Sequence, residues 1–255
     1  MTVTVLMAVY NEAGDLERAV RSVRGQTHED WELLVVDDGS TDGTPLLLER
    51  LCAEERRLRV VHNEVNRGLP AALNRGWRQA RSELIARLDA DDVCLPTRLA
   101  AQLRYLNDHP EVAVLGTGAE LVDERGALGE TFRPEQHEVL VARIYRENPF
   151  IHPTVMMRRS FLEATGGYDE RLRRAQDYDL WLRGYRSFRY HNLAQALVRH
   201  RVSRRPRPSA IVYGTYMLVR AAHREGRLST HGWYGLRFLA AGLLGSVGIR
   251  ETRLR

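Results

Sequence analysis

Lysine is absent from the 255 residues, and only two cysteines are present. Two cysteines exclude a disulfide framework, so we expect Cys52 and Cys94 to be core residues in a reducing compartment. Long apolar runs are also missing, since no stretch reaches the roughly 18 residues that a membrane-spanning helix needs. The segment MTVTVLMAVYNE lacks the basic region and the cleavage site of a signal peptide. Together these absences predict a cytoplasmic protein.

The net charge of +5 is unevenly distributed. Residues 198–255 contain 12 arginines against two glutamates, whereas residues 1–197 carry a net charge of −5. Within the basic segment, we predict a linker over residues 203–210 and a basic tail of two apolar helices over residues 211–255. We expect this tail either to pack on the main domain or on a second copy in a homodimer, or to lie at the inner face of an anionic membrane. Nucleic-acid binding is not expected, because no recognition motif is present.

Segments typical of strands and of helices alternate over residues 1–116. The buried face of the first helix is marked by apolar residues at helical spacing: Leu16, Ala19, Val20 and Val23. The predicted strands cover 3–9, 31–36, 59–62, 84–88 and 112–116, and further helices cover 45–56, 70–81 and 97–107. Beyond them, 138–147 and 177–185 are typical of helices and 154–159 of a strand. This pattern predicts an α/β fold, a mainly parallel sheet sandwiched by helices.

Polar side chains follow four of the predicted strands. Strand 1 ends in AVYNE (8–12), strand 2 in DDGSTDGT (37–44) and strand 4 in DADD (89–92), while Asn66 follows strand 3. Ligands of open parallel sheets bind beyond the carboxyl ends of the strands. The sequence therefore predicts a binding site at this rim.

The segment DDGSTDGT has two interpretations. Residues 40–44 fit a turn and a helix N-cap as well as they fit a ligand contact. Asp37 and Asp38, at the end of a buried strand, suit hydrogen bonds from a nucleobase or a ribose hydroxyl, and Gly39 would let the backbone approach that ligand. A dinucleotide or ATP phosphate cradle is not expected, because neither a G-x-G-x-x-G fingerprint nor a P-loop follows strand 1.

The segment DADD contains more carboxylates than a helix cap requires. Asp89, Asp91 and Asp92 repel one another and resist desolvation. Their D-x-D spacing suits Mn²⁺ or Mg²⁺, which proteins commonly hold with one or two carboxylates plus substrate phosphates. The motif therefore predicts a divalent-cation site for a substrate that carries a diphosphate.

Six motifs follow one another along the chain: VYNE, DDGSTDGT, NRGL with ALN, IARLDADD, HPTVMMRR and GGYDERLRRAQDYDLWLR. In this order they resemble family 2 of the inverting glycosyltransferases, which have the GT-A fold, over about residues 3–202. The resemblance implies a domain 1–202, with a nucleotide-sugar-binding half (1–116) and an acceptor half (117–202). It also implies a metal-dependent transfer of a sugar from a nucleotide-sugar donor, whose base is most often uracil in this family. The implied acceptor is a hydroxyl group of a glycan or a lipid-linked glycan of the cell envelope.

The matched motifs imply roles for individual residues. The implied nucleotide contacts are Ala8, Tyr10, Glu12, Asp38, Asn66 and Asp89. Of these, Asp38 would bond the base and Asp89 would lie near the ribose. Asp91 would be the direct ligand of the metal.

Asp177, in QDYDLW, matches the catalytic base of the family. An inverting transfer needs a carboxylate that takes the proton of the acceptor hydroxyl as it attacks the anomeric carbon. The alternative is an N-cap or first-turn aspartate favoured by the helix dipole, a structural role that we expect instead for Asp179. Trp181 and Leu182 are expected to pack in the core. Because QDYDLW lacks the Q-x-x-R-W pattern of processive members, transfer of a single sugar is favoured.

The remaining candidates lie near the acceptor half. His152 either contacts the acceptor or the donor phosphates, or is a packed histidine. Many family members have a histidine where RHRVS places Ser203, and His200 stands three positions earlier. Arg201 or Arg204 is the candidate replacement as a phosphate ligand. The missing histidine leaves a rival function, a non-catalytic nucleotide-sugar-binding subunit. A sugar-phosphate nucleotidyltransferase is not expected, because the loop AVYNEAGD is acidic rather than glycine-rich and basic.

Overall fold

The computed structural model describes residues 2–202, so the predicted linker and basic tail, including Ser203 and Arg204, lie outside the described residues. The strands are β1 Val3–Val9, β2 Trp31–Asp37, β3 Leu58–His62, β4 Leu84–Arg87, β5 Val93–Cys94, β6 Val112–Asp123, β7 Gly126–Thr131, β8 Met156–Arg158 and β9 Arg189–Arg201. The helices are α1 Leu16–Arg24, α2 Thr44–Glu54, α3 Leu69–Gln79, α4 Arg98–Asp108, α5 His137–Arg143, α6 Arg159–Thr165 and α7 Gln176–Gly184.

The strands form one sheet in the order β3-β2-β1-β4-β8-β6-β9-β5, with β7 paired to β6. Strands β1 to β4 are parallel to one another, and β6 is parallel to β9. Strand β8 runs antiparallel between β4 and β6. The predicted α/β fold with a mainly parallel sheet is therefore confirmed. The parallel strands bring the loops after β1, β2, β3 and β4 to one rim.

Helices cover both faces of the sheet. Val5 of β1 packs in the cluster that α1, α2 and α4 cover, whereas Leu6 packs in the cluster under α3, α6 and α7. The four residues predicted for the inner face of α1 are all fully buried. Cys94 is buried and Cys52 partly buried against the same core, and both are free thiols. Within residues 2–202, no helix has the length and apolar character needed to cross a bilayer.

The structure differs from the predicted elements mainly beyond residue 116. Strand β6 continues to Asp123 rather than ending at Gly116, because β7 and β9 pair with its second half. Residues 189–201 show no predicted strand, but in the structure β9 lies there, parallel to β6 from Val112 to Val122. Since this strand alternates irregularly between buried and exposed residues, only its long-range pairing reveals it.

Candidate active site

The loops after β1 and β2 are tied together at the rim. The backbone N–H of Asn11 donates to Ser40 Oγ at 2.9 Å, and Asn11 Oδ1 accepts from the N–H of Thr41 at 2.8 Å. The N–H of Glu12 donates to Thr44 Oγ1 at 2.9 Å. Asn11 has a φ of 55°, a left-handed conformation that asparagine tolerates better than most residues. Residues 40–44 therefore form the turn after β2 and hold it against the loop after β1.

Asp38 shapes the next loop of the rim. Its side chain is buried, and its carboxylate accepts hydrogen bonds from Asn63 Nδ2 at 2.5 Å and from the N–H of Gly68 at 2.7 Å. The N–H of Arg67 lies 3.0 and 3.1 Å from its two oxygens. Asp38 thus fixes the loop between β3 and α3, and its contact with a nucleobase stays a prediction.

Gly39 lets the loops after β2 and β3 pack closely. Its φ is 75°, and a Cβ atom here would lie 2.7 Å from the carbonyl carbon of Val65 and 2.8 Å from the nitrogen of Asn66. The close approach that the structure shows is to this neighbouring loop, and an approach of Gly39 to a ligand stays a prediction. Asn66 itself is exposed at the rim, as is Tyr10, whereas Ala8 is partly buried.

The three carboxylates of DADD have different surroundings. Asp89 forms an ion pair with Arg87, which is fully buried at the end of β4. Asp92 is fully buried, and both of its oxygens lie 3.0 Å from Nδ1 of His200. Asp91 forms no ion pair with any residue in the described range 2–202. The cations of the rim therefore compensate Asp89 and Asp92 but not Asp91.

The charge at Asp91 is correspondingly unfavourable. Burial, with added repulsion from Asp92, Asp89 and Glu12, raises the pKa of Asp91 from 3.8 to about 6. The pKa of Asp89 shifts the other way: burial alone would raise it, but Arg87, His152 and His200 together lower it. A bound metal ion would relieve the repulsion between these carboxylates, because it would supply the positive charge that Asp91 lacks.

The residues at the rim suit a metal ion that is bound partly by the protein and partly by the phosphates of a substrate. Within residues 2–202, no three His, Cys, Asp or Glu side chains form a ready metal cage. Asp91 offers one oxygen ligand, which matches the way in which Mg²⁺ or Mn²⁺ binds through one or two carboxylates and completes its shell with phosphate and water. The donor set is therefore suited to an ion that arrives with a diphosphate.

Replacing Asp91 with asparagine is expected to stabilise the metal-free protein. Because the pKa of Asp91 is raised, the folded chain holds this proton more tightly than the unfolded chain, and stability falls as the pH rises from 3.8 to about 6. Above pH 6 the neutral amide should add about 1–2 kcal/mol, less than the whole shift implies because the rim is partly solvated. Thermal melts in EDTA should show this gain at pH 8 and its loss toward pH 4, and an equal gain at both would contradict the charge argument.

The end of β9 is bound to this acidic rim. The guanidinium of Arg201 forms an ion pair with Asp15, which also lies 3.0 Å from Arg18. The backbone N–H of Arg201 donates to Asp92 at 2.8 Å. Although burial opposes it, hydrogen bonding to Asp92 raises the pKa of His200. Arg201 and His200 thus hold the rim together, and a phosphate contact by Arg201 stays a prediction.

His152 is packed and hydrogen-bonded below the rim. Its Nε2 lies 2.9 Å from the hydroxyl of Tyr168. Burial and the neighbouring charge of Arg87 lower its pKa to about 4, although the carboxylates of Asp177 and Asp89 act in the opposite direction. The imidazole is therefore neutral at neutral pH and lies near both carboxylates. Its contact with acceptor or phosphate stays a prediction.

Asp177 and Asp179 lie in the first turn of α7 but have different partners. Asp177 accepts a hydrogen bond from Asn148 Nδ2 at 2.7 Å, and no side chain caps the helix. Asp179 is fully buried and lies 2.7 Å from Arg183, so its predicted structural role is confirmed. Just before the helix, Ala175 has a φ of 54°, a strained conformation of the kind that clusters at functional sites. The predicted core residues of α7 are buried: Trp181 and Leu182.

Two residues of the site were not singled out from the sequence. Arg87 carried a usable signal, because a lone charge in a buried apolar strand must be paired, and three aspartates follow it. Asn148 carried none, since an asparagine before a proline is typical of any turn. Only the fold shows that it contacts Asp177.

Sequence comparison places the chain among glycosyltransferases. The family described as "Glycosyl transferase family 2" matches residues 4–166. The putative glycosyltransferase EpsE of Bacillus subtilis is 37% identical over 203 residues, which are 78% of this chain and 72% of EpsE. The amylovoran biosynthesis glycosyltransferase AmsE of Erwinia amylovora is 32% identical over 182 residues, which are 71% of this chain and 68% of AmsE.

Solved structures share the fold at lower identity. TarS 1–349 of S. aureus in complex with UDP matches with a TM-score of 0.69 and 23% identity, covering 97% of this chain and 72% of that one. The mannosyltransferase PcManGT of Pyrobaculum calidifontis, in complex with GDP-Man and Mn²⁺, matches with a TM-score of 0.67 and 22% identity, covering 98% and 76%. The chain therefore belongs to glycosyltransferase family 2, has the GT-A fold, and is a glycosyltransferase.

Proposed function

We propose that the protein is a metal-dependent, inverting glycosyltransferase that moves a single sugar from a UDP-sugar to a hydroxyl acceptor. Asp91 is the observation that carries the proposal. It lies at the end of the β4 loop among like charges, its pKa is raised to about 6, and it has no ion pair within the described chain. Such a carboxylate suits Mn²⁺ or Mg²⁺, and PcManGT was solved with Mn²⁺.

Each residue of the rim has a task in this reaction. Asp91 would hold the metal, and the bound ion would supply positive charge that stabilises the leaving diphosphate. Asp89, oriented by Arg87, would lie beside the ribose. Asp177 takes the proton of the acceptor hydroxyl while that oxygen bonds to the anomeric carbon, on the face opposite the leaving phosphate. The bond to the phosphate oxygen breaks, and the configuration is inverted.

The donor pocket is proposed at the loops after β1, β2 and β3. Tyr10 is 47% exposed there and offers a ring on which a base can stack. Glu12 and Asn66 lie on the same loops, Ala8 lies near the end of β1, and Asp38 holds the neighbouring backbone in place. Uracil is the base that the family resemblance implies, and TarS was solved with UDP.

The acceptor is proposed to be a growing cell-surface polysaccharide or glycolipid. AmsE is named for amylovoran biosynthesis, and a single-sugar transfer agrees with the absence of Q-x-x-R-W from QDYDLW. Contact of residues 211–255 with a membrane, or with a second copy of the chain, stays a prediction because these residues lie outside the described range.

A thermal-shift screen tests this proposal. UDP and UDP-sugars, with GDP-mannose as a competing donor, are added with Mn²⁺ or with EDTA. At about 100 times its Kd, a ligand that binds the folded chain adds about 2.7 kcal/mol, which raises the Tm of a chain of this size by about 5–10 °C. We expect that rise for UDP and UDP-sugars in Mn²⁺ and for neither of them in EDTA. A rise that persists in EDTA would contradict metal dependence, and no rise with any nucleotide would contradict the donor assignment.

A further inference from the structure

We infer that Asn148 is a positioning residue for Asp177, holding one carboxylate oxygen so that the other can take the proton of the acceptor. The inference rests on the proposed function, in which Asp177 is the base. Asn148 Nδ2 donates to Asp177 Oδ2 at 2.7 Å. Among residues 2–202, no second hydrogen bond or ion pair engages the carboxylate of Asp177. Oδ1 is therefore left for the substrate.

The amide of Asn148 has a fixed orientation. Its Oδ1 accepts a hydrogen bond from the N–H of Phe150 at 3.2 Å. Because only the carbonyl oxygen of an amide can accept and only its nitrogen can donate, this bond turns the NH₂ group toward Asp177. The flipped amide would bring two oxygens together and lose both bonds.

The backbone that carries Asn148 is fixed as well. Its carbonyl accepts from Arg133 Nε at 3.1 Å, and the carbonyl of Pro149 accepts from Asn192 Nδ2 at 3.1 Å. Asn192 is fully buried. Asn148 therefore extends from a segment held by two side chains of neighbouring elements, which is what a positioning group requires.

The helix that carries Asp177 does not fix its carboxylate. Asp177 makes no capping hydrogen bond in α7, so the carboxylate would be free to rotate without Asn148. The proton of the acceptor hydroxyl passes to Oδ1, while Oδ2 accepts from Asn148 both before and after this transfer. The neutral amide has no acidic proton of its own and does not compete with the acceptor hydroxyl as a proton source.

Asn148→Ala is the first test. Turnover is measured as release of the nucleoside diphosphate from the donor that gives the largest Mn²⁺-dependent thermal shift, with water or octyl glycosides as acceptor. We expect kcat to fall about 10- to 100-fold while the donor KM stays within about two-fold, because only orientation of the base is lost. Asn107→Ala, exposed on α4, is the matched control. In an Asp177→Asn background, Asn148→Ala should cause no further loss.

Asn148→Asp is nearly isosteric and tests whether residue 148 acts directly on the base. It sets two carboxylates against each other, and such a pair shares a proton. The ascending limb of the kcat–pH profile should therefore move up by about one pH unit or more. A limb that stays in place would show that residue 148 does not act on the base. This variant also decides the case if Asn148→Ala does not fold.

The outcomes separate the two hypotheses. Any of three results would overturn the role of Asn148. These are a wild-type kcat in a folded Asn148→Ala protein, a further loss of kcat when Asn148→Ala is added to Asp177→Asn, and an unchanged pH profile in Asn148→Asp. If Asp177→Asn is inactive, these results leave the proposed base standing. If Asp177→Asn keeps its turnover, the base assignment fails, and the role of Asn148 fails with it.

Discussion

Asp177→Asn is expected to lower the turnover of sugar transfer by about 1,000-fold, because the acceptor hydroxyl loses the carboxylate that takes its proton. Binding of UDP with Mn²⁺ should stay within about two-fold of the wild type, since the change removes an interaction that is made only as the acceptor attacks. The asparagine keeps an oxygen that can accept from Asn148, so the fold should be retained. Calorimetry with UDP and single-turnover transfer from the identified donor measure the two quantities separately.

Asp179→Asn is the informative control for this prediction, because it lies on the same helix two residues later. It weakens the buried pair with Arg183 and should lower the Tm. Asp177→Asn should leave the Tm almost unchanged. Asp108 is exposed at the end of α4, and Asp108→Asn should change neither the turnover nor the Tm. An Asp177→Asn protein that transfers sugar at more than about a tenth of the wild-type rate would remove this residue as the base.

Asp91→Asn is expected to weaken Mn²⁺-dependent binding of UDP by roughly 100-fold, or about 3 kcal/mol. The amide keeps an oxygen but loses the charge that a divalent ion requires of its ligand. The residual binding should be the same in EDTA as in Mn²⁺. Titration calorimetry of UDP with and without the metal measures the difference.

The same substitution should raise the Tm of the metal-free protein at pH 8, so a loss of binding cannot be ascribed to unfolding. This opposite effect on stability and binding is typical of a site that keeps an unfavourable charge for its ligand. Unchanged Mn²⁺-dependent binding in Asp91→Asn would place the metal elsewhere. Asp108→Asn again serves as the exposed control.

The fold of residues 1–116 could be predicted from the sequence because its signals are local. Strand β1 has the predicted bounds 3–9, since an apolar run and the polar AVYNE segment delimit it. The acidic residues gather at one rim because parallel strands end together. Residues 117–202 were less predictable, because β9 is defined by its partner β6 and not by its own pattern.

The details of the site depended on contacts that no spacing encodes. Gly39 packs against the backbone of Val65, a contact that the sequence does not predict because only the tertiary fold brings those loops together. In the sequence His200 stands out only as a displaced histidine, and the structure pairs it with Asp92 across 108 positions of sequence. Sequence patterns predict which polar side chains reach this rim, and the pairing of distant loops determines which of them remain unpaired.

Because β9 is attached to the acidic rim, the length of residues 203–210 limits the distance between the proposed active site and any surface that binds residue 211. Arg201 is joined to Asp15 and Asp92, so the chain departs for residue 203 directly beside the proposed metal ligand. Even fully stretched, residues 203–210 span only about 30 Å. A surface that captures residue 211 would therefore confine the catalytic centre to about that distance, and an acceptor embedded in the same surface would be met at high local concentration.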